Sequence, residues 1–201
     1  MAKNILETAY IPDVDPNFNP GFNEDWPTNF PKPVVGIEKK HIVTKEEGSI
    51  KCDPEVLQAI KQLRLKGYKF VMLNDEANKT PNEVDWQNQL LMDEFGKAGI
   101  QSITTLYYSI GMRNTGDQFV KPGTGMFKRC EQEHPYVKFK EGWYVGTTIS
   151  DIKAGFKAGA RPILINVFPE EVKKLDSFSN QKLKKKTKVF DSFVDFANTL
   201  K

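Results

Sequence analysis

Apolar and polar residues follow one another in blocks that predict strands and helices in turn, most clearly between residues 121 and 167. A short apolar run, residues 143–145, ends at Gly146 and leads into a loop of small polar residues. This order predicts a strand, a loop and then a helix over residues 151–158. Residues 161–167 have the β-branched density of a buried parallel strand. The stretch therefore predicts a β-α-β unit, whose helical glycines would let the helix lie close to the sheet.

The preceding part of the chain has the same organisation. Asp53 and Pro54 predict a helix start, because aspartate is a favoured N-cap and proline a favoured first helical residue. The apolar residues that follow at helical spacing are Val56, Leu57, Ile60 and Leu63. Residues 68–73 predict a strand, residues 84–98 a helix and residues 102–110 another strand. In the second helix the candidate core contacts are Trp86, Leu90, Leu91 and Phe95.

The end of the chain, from Lys188 onward, predicts a final strand and helix. Asp191 is the candidate N-cap of that helix. The residues that would face inward are Phe193, Val194, Ala197 and Leu200. A polar stretch of about residues 169–188 precedes this unit and is longer than the usual connection in such folds. We therefore predict an α/β domain over residues 34–201 that contains a polar and basic insertion.

The first 33 residues differ from this pattern and predict an extended arm, residues 1–33, rather than part of the domain. Prolines recur along the arm and disfavour both helix and central strand. Aromatic residues recur at four-residue spacing, and these are Phe18, Phe22, Trp26 and Phe30. Such rings can anchor in the pockets of a partner protein, while prolines reduce the entropy lost on ordering. Packing of the arm on its own domain is an alternative of equal weight.

Basic residues are concentrated in the insertion, in a run that begins at Lys182 and ends at Lys188. Contact with nucleic acid, with an anionic membrane surface or with an acidic partner is one function of such a run. A solvated loop is the more frequent explanation, and we favour it. With the arm, the insertion is a second candidate for partner contact.

The composition is that of a globular protein, with 201 residues of which 39% are hydrophobic and 11% aromatic. No apolar run approaches the roughly 18 residues that span a bilayer, and the start of the chain lacks the pattern of a secretory or transit peptide. Cys52 and Cys130 are too few for a disulfide framework or a zinc site, and they suit a reducing compartment. These features suggest an intracellular protein, either mitochondrial with its presequence removed or cytoplasmic.

Two glycine-rich segments, "KPGTGM" from Lys121 and "VGTTISDIKAGFKAGA" from Val145, resemble motifs of the haloacid dehalogenase-like (HAD) phosphatases. The resemblance is greatest to the branch of histidinol-phosphate and heptose-bisphosphate phosphatases, and it covers residues 34–201 in order and spacing. It implies a Rossmannoid three-layer α/β/α domain with a mainly parallel sheet and no large cap domain. In that branch the first motif supplies a lysine that steadies the phosphate and the nucleophile. The second supplies carboxylates for magnesium.

Several positions depart from what this resemblance implies. The family ends its first strand with a nucleophilic aspartate and an acid-base aspartate, and Gly36 and Glu38 stand at the corresponding positions. Leu73 stands where a threonine or serine would hydrogen-bond the phosphate. Thr147 stands where the first magnesium aspartate is expected. The cysteines of the zinc loop that the branch often carries are missing from residues 111–122.

Lys121 and Asp151 remain from the catalytic set, and they can form a structural salt bridge with each other. Loss of a nucleophile lowers the rate by orders of magnitude, and magnesium needs a near-octahedral shell of oxygen ligands. We therefore predict a catalytically inactive domain that holds no cofactor or metal. Its predicted role is that of an accessory subunit in a larger hetero-oligomeric protein assembly, for which a mitochondrial complex is one setting.

Two other functions stay open from the sequence. The first is a magnesium-dependent phosphomonoesterase with a rearranged set of carboxylates, and these are Glu38, Asp75 and Asp151. The second is a sensor that binds phosphate or a nucleotide at the start of a helix. Its binding residues would be Lys121, Thr147 and Thr148.

Overall fold

The protein is described by a computed structural model over residues 34–45, 49–100, 105–111 and 116–200. The strands in these ranges are β1 (Val34–Ile37), β2 (Val43–Lys45), β3 (Lys51–Cys52), β4 (Lys69–Asp75), β5 (Thr105–Ser109), β6 (Trp143–Gly146), β7 (Arg161–Ile165) and β8 (Lys188–Phe190). The helices in the same ranges are α1 (Pro54–Leu65), α2 (Pro81–Lys97), α3 (Gly125–Glu133), α4 (Ile149–Lys157), α5 (Pro169–Leu175), α6 (Gln181–Lys184) and α7 (Phe193–Asn198). Short 3₁₀ turns are Lys39–His41, Phe139–Glu141 and Phe178–Asn180.

One parallel sheet in the order β5-β4-β1-β6-β7-β8 forms the middle layer of the described residues. Alternate strand residues face opposite sides. On one side Val35 and Met72 pack in a cluster with residues of α1, α2 and α7. On the other side Val71 and Tyr144 pack with residues of α3 and α4. The three-layer α/β/α architecture predicted from the sequence is thus confirmed.

Helices α1 and α2 begin where side chains satisfy the first backbone N–H groups. Asp53 caps α1 as predicted, and its carboxylate accepts hydrogen bonds from the N–H of Glu55 and Val56 at 2.8 and 3.3 Å. Helix α2 begins at Pro81, earlier than predicted, because Thr80 and its partner three residues later form a capping box. Trp86 was predicted to face the core but is 50% exposed. Asn88 takes a buried position on that helix instead.

The β-α-β unit predicted around residues 143–167 is confirmed as β6, α4 and β7, with β6 and β7 paired in parallel. Gly155 allows the close contact between α4 and the sheet. A Cβ atom at Gly155 would lie 2.7 Å from Cβ of Tyr144, which is closer than side chains approach one another. Thr148 caps the helix with its hydroxyl. The predicted helix start is therefore correct to within two residues.

The insertion packs beside α4 and against β7 of the sheet. Leu175 of α5 and Leu183 of α6 are buried in a third apolar cluster with Ile149, Ile152 and Leu164. The expectation of a solvated loop is therefore partly wrong, because Lys182 lies in helix α6. The Lys182 side chain is nevertheless exposed to solvent, as expected. The N-cap of the final helix, α7, is Ser192 rather than Asp191. The Ser192 hydroxyl accepts a hydrogen bond from the N–H of Asp195 at 3.0 Å.

Between β1 and α1, the described residues hold the antiparallel β2–β3 ladder and no large cap domain. The arm, with its candidate partner-binding residues Phe18, Phe22, Trp26 and Phe30, lies outside the described residues. None of the helices in the described part of the chain combines the length and hydropathy that crossing a membrane requires.

Candidate functional site

Charged side chains converge where β1, β4 and β6 end. Glu38 directly follows β1, Asp75 is the last residue of β4, and Asp151 lies in the first turn of α4 after β6. Because the carboxyl ends of parallel strands meet at one edge of a sheet, these residues from distant parts of the chain lie together. Lys121, from the segment before α3, reaches into the middle of this group.

The ammonium group of Lys121 is fully buried, with 0% of the side chain exposed. It forms an ion pair with Oε1 of Glu38 and another with Oδ1 of Asp151 at 3.0 Å. Its further contacts are the carbonyl oxygen of Leu73 at 3.2 Å and the hydroxyl of Tyr144 at 3.1 Å. The predicted salt bridge between Lys121 and Asp151 is confirmed. An ammonium has three donors, and the hydrogen bonds to Glu38, Leu73 and Tyr144 use all of them.

Lys40 brings a second ammonium group to the same carboxylates. Its Nζ forms an ion pair with Oε2 of Glu38 and lies 3.1 Å from Oδ2 of Asp151. The Lys40 side chain is 39% exposed, so it closes the group on the solvent side. Sequence reasoning missed this residue. The signal that could have found it is the lysine pair, Lys39 and Lys40, that follows Glu38 at the end of the first strand.

Asp151 also caps its own helix. Its Oδ2 atom accepts hydrogen bonds from the N–H groups of Thr147 and Thr148 at 3.2 and 2.9 Å. It accepts a further hydrogen bond from the Thr148 hydroxyl at 2.8 Å. The N–H groups of Thr147 and Thr148, directly before α4, are thus engaged by a carboxylate of the chain itself.

Gly36 lies inside β1, opposite Tyr144 on β6. A Cβ atom at Gly36 would lie 2.6 Å from Cδ2 of Tyr144 and 3.2 Å from Cε1 of Phe139. The fully buried Tyr144 ring therefore fills the space that a side chain at position 36 would need. Leu73 turns its side chain into the adjacent apolar cluster, and its carbonyl oxygen faces the charged group.

A shallow cleft of about 270 Å³ opens beside Lys40. On its far wall Glu76 binds Nζ of Lys39 at 2.6 Å and Nζ of Lys79 at 2.8 Å. The backbone N–H of Lys39 donates to Oδ1 of Asn74 at 2.8 Å. Positive and negative side chains alternate along this cleft, so its lining favours neither anions nor cations by net charge.

Burial and the neighbouring charges move the pKa values of the group in different directions. Burial and the nearby Asp151 carboxylate raise the pKa of Glu38 to about 7, against the effect of Lys121 and Lys40. Although burial alone would raise it, the two ammonium groups hold the pKa of Asp151 well below its ordinary range. Burial opposes a charge on Lys121 as well, but Asp151 and Glu38 hold its pKa well above the ordinary value.

The carboxylates of this site do not fit a divalent cation in the arrangement they adopt. Glu38 and Asp151 each contact both Lys40 and Lys121. Among the residues that the structure describes, no group of three or more histidine, cysteine, aspartate or glutamate side chains is arranged to hold a metal ion. Magnesium prefers several oxygen ligands and repels ammonium groups, so Lys40, which holds the solvent-side oxygen of each carboxylate, would have to leave before it could bind.

Comparisons with known proteins give matches in structure but not in sequence. No protein-family model matches the chain, and no curated protein matches it. D,D-heptose 1,7-bisphosphate phosphatase from B. bronchiseptica, in a complex with magnesium and phosphate, is similar at a TM-score of 0.69 and 15% identity, over 84% of this chain and 97% of that one. The enzyme of the same name from Burkholderia thailandensis matches over the same shares of the two chains, at a TM-score of 0.57 and 17% identity.

A HAD-superfamily hydrolase from Ehrlichia chaffeensis is similar at a TM-score of 0.50 and 15% identity, over 78% of this chain and 60% of that one. Identities of this size establish the fold alone. The chain has the fold of the HAD phosphatases, as its glycine-rich motifs predicted.

Proposed function

We propose that the protein is a catalytically inactive HAD-like domain that serves as an accessory subunit of a larger protein assembly. The observation that carries the proposal is the state of the two carboxylates at the strand ends. Both Glu38 and Asp151 are bound by the ammonium groups of Lys40 and Lys121. A carboxylate so engaged is not free to attack phosphorus or to hold a metal ion.

The assignment of the family's two aspartate positions also changes in this proposal. The family's motif lysine steadies the nucleophile, and Lys121 adjoins Glu38, the first residue after β1. We therefore place Glu38, rather than Gly36, at the nucleophile position, and Lys40 at the acid-base position. Inactivity then depends on Lys40, rather than on a missing carboxylate, because a lysine does not replace an aspartate as a proton acceptor and donor near neutral pH.

A phosphate or nucleotide sensor is less well supported by the same contacts. A phosphate at the start of α4 would need the N–H groups of Thr147 and Thr148. Both groups already donate hydrogen bonds to Asp151. It would also need an available cation, and the buried Lys121 is fully engaged. A phosphate would have to displace the chain's own carboxylate, which is fixed on the same helix.

An accessory role is supported by surface that a small phosphatase does not need. The arm, residues 1–33, carries aromatic and proline residues in addition to those of the predicted domain. The insertion adds the exposed basic side chains from Lys182 to Lys188 and the ring of Phe178, which is 94% exposed. Large exposed apolar groups rimmed by charge are typical of protein contact sites.

The first test is enzymatic. With purified protein and magnesium, we expect no hydrolysis of p-nitrophenyl phosphate above that of the Lys121→Ala variant. Lys121→Ala removes the residue that a HAD reaction needs, so it measures background. Magnesium-dependent hydrolysis in the wild type that Lys121→Ala abolishes would contradict the proposed inactivity.

The second test concerns the assembly. The native mass of the complex should be measured by size-exclusion chromatography for the tagged full chain and for residues 34–201. We expect the shorter chain to elute as a folded monomer and the full chain in a larger complex. A matched variant with Phe18, Phe22, Trp26 and Phe30 changed to alanine should behave like the deletion. An unchanged native mass in both variants would refute the role of the arm.

A further inference from the structure

We infer that the Lys40 ammonium group is a built-in counter-ion that stands in for a divalent cation between Glu38 and Asp151, so that its removal converts the site into a metal site. This inference does not depend on the proposed accessory role. It concerns the charged group itself and holds whether or not the chain has a partner.

A cation shared by two carboxylates from different strands must contact one oxygen of each. Nζ of Lys40 does so, through Oε2 of Glu38 and through Oδ2 of Asp151 at 3.1 Å. Lys121 binds the other oxygen of each carboxylate, Oε1 of Glu38 and Oδ1 of Asp151. The two ammonium groups thus hold opposite sides of the same carboxylate pair.

When all four groups are ionised, the charges of Lys40 and Lys121 equal those of Glu38 and Asp151, and Asp75 lies further away, with Oδ2 4.0 Å from Nζ of Lys121. Without Lys40, the buried carboxylates would keep one ammonium between them. An uncompensated buried carboxylate is unfavourable, so it would either take up a proton or recruit a cation from solution.

Lys121 is closed off from solvent, whereas Lys40 is 39% exposed and lines the cleft of about 270 Å³ at the end of the sheet. Shortening Lys40 therefore opens a path from this cleft to Glu38 and Asp151. The carboxylates that an entering ion would meet are held in place by Lys121 and by the N–H groups before α4.

The test compares wild type with Lys40→Met, which keeps much of the apolar stem and removes the charge. Manganese binding is measured by electron paramagnetic resonance of free Mn²⁺, and stability by thermal unfolding in millimolar Mg²⁺ or Mn²⁺. We expect wild type to bind no Mn²⁺ and to show no shift in Tm. Lys40→Met should bind one Mn²⁺ per chain, and its Tm should rise with the metal concentration.

Two control variants sharpen this test. Lys40→Arg keeps the positive charge and should behave like wild type. Lys40→Met combined with Asp151→Asn should lose the gained binding, which would assign the metal to this carboxylate pair. Folded Lys40→Met protein that binds no Mn²⁺ would overturn the inference. Saturable binding to wild type that Asp151→Asn abolishes would overturn it too.

A measurement on wild type keeps the inference testable if Lys40→Met does not fold. In protein labelled with ¹⁵N at the Nζ atoms of its lysines, the Lys40 ammonium group should give its own resonance. Its protons should exchange slowly with water, because two carboxylates hold the group. Assignment can use Lys40→Arg, in which the signal disappears. Addition of Mg²⁺ should leave the resonance in place. A shift or loss of the signal that saturates with Mg²⁺ would show that the ion displaces Lys40.

Discussion

At the scale of single residues, Gly36 and Tyr144 share one space. The Tyr144 ring is fully buried between α3 and the sheet, and its centroid lies 4.8 Å from that of Phe127. Its hydroxyl donates to the carbonyl oxygen of Leu73 at 3.2 Å. A ring held by both packing and a hydrogen bond cannot move without loss of those contacts. A side chain at position 36 therefore competes directly with Tyr144.

We predict that Gly36→Ala lowers the free energy of unfolding by about 1–3 kcal/mol, the usual range for overpacking a core. The physical reason is the 2.6 Å approach of the new Cβ atom to the Tyr144 ring. Gly96→Ala is the matched control, because a Cβ atom at this helical position meets nothing within 4 Å. It should stabilise the protein by about 0.5–1 kcal/mol. Urea unfolding of both variants measures the difference, and equal effects would contradict the packing argument.

Glu38 makes the stability depend on pH with a defined sign. Its pKa is raised from the ordinary 4.5 to about 7 in the folded protein, by burial first and by Asp151 second. Between these two values the folded state keeps a proton that the unfolded state has released. The stabilisation that protonated Glu38 gives the folded state is therefore fully present below pH 4.5, and it is lost as the pH rises through about 7.

We predict that Glu38→Gln removes this dependence. The difference in unfolding free energy between wild type and variant should move in favour of the variant by at most about 3 kcal/mol from pH 5 to pH 8. The two proteins must be compared at each pH, because His41 changes the stability of both with the opposite sign. Burial and Lys40 lower the pKa of His41 to about 3. Chemical unfolding at a series of pH values measures both profiles. Parallel profiles would show that Glu38 does not titrate in this range.

The sequence predicted part of the charged site and missed the rest for a physical reason. Lys121 and Asp151 stand in recognisable glycine-rich segments, so their meeting at the sheet edge followed from the fold. Lys40 stands in a short polar turn, where a lysine usually points to solvent. Only the three-dimensional arrangement brings it to Asp151, which is 111 residues away in the chain. The filling of the space at Gly36 by Tyr144 likewise has no local signal.

At the scale of elements, the insertion is part of the folded domain. Leu175 and Leu183 are 2% and 5% exposed, and they pack with Ile152 of α4 and Leu164 of β7. The lysines between and after them point outward. The segment therefore has two functions in the fold: its apolar residues shield α4, and its basic residues form surface.

We predict that Leu183→Ala lowers the free energy of unfolding by about 2–4 kcal/mol, as expected for a buried leucine whose removal leaves a cavity. Lys182→Ala, one residue away and exposed, is the matched control and should change it by less than about 0.5 kcal/mol. Thermal or urea unfolding measures both. If Leu183→Ala were as mild as Lys182→Ala, α6 would not be packed on the domain.

Element prediction succeeded where periodicity and caps agree. In α1 the cap at Asp53 and four apolar residues at helical spacing point to the same helix, and all four are buried. In α2 the pattern was less regular, so Trp86 was assigned to the core and the helix start at Thr80 was missed. For α7, Asp191 and Ser192 are adjacent and both favour capping, and the sequence does not distinguish between them. The bounds of β4 and β7 differ from the predicted ones by one or two residues, and the predicted start of β5 lies outside the described residues.

At the scale of the whole molecule, one sheet connects the three apolar clusters. Val35 and Val71 lie on adjacent strands but belong to different clusters, and Leu164 of β7 belongs to the third. Loss of the sheet would therefore expose all three clusters at once. The buried charged group adds a further link, because it joins β1, β4, α4 and the segment before α3. The domain is expected to unfold in one cooperative transition.

The arm can now be tested at this scale, by comparing the Tm of residues 34–201 with that of the full chain. If the arm serves a partner, its removal takes no contact away from the domain and the two Tm values should be equal. If instead its four rings packed on the domain, each would contribute as a buried aromatic, about 3–5 kcal/mol on truncation. Because about 1 kcal/mol moves Tm by about 2–4 °C in a domain of this size, packing on the domain would lower Tm by many degrees. We predict equal values, measured by differential scanning calorimetry, and a large drop on deletion would favour the alternative in which the arm belongs to its own domain.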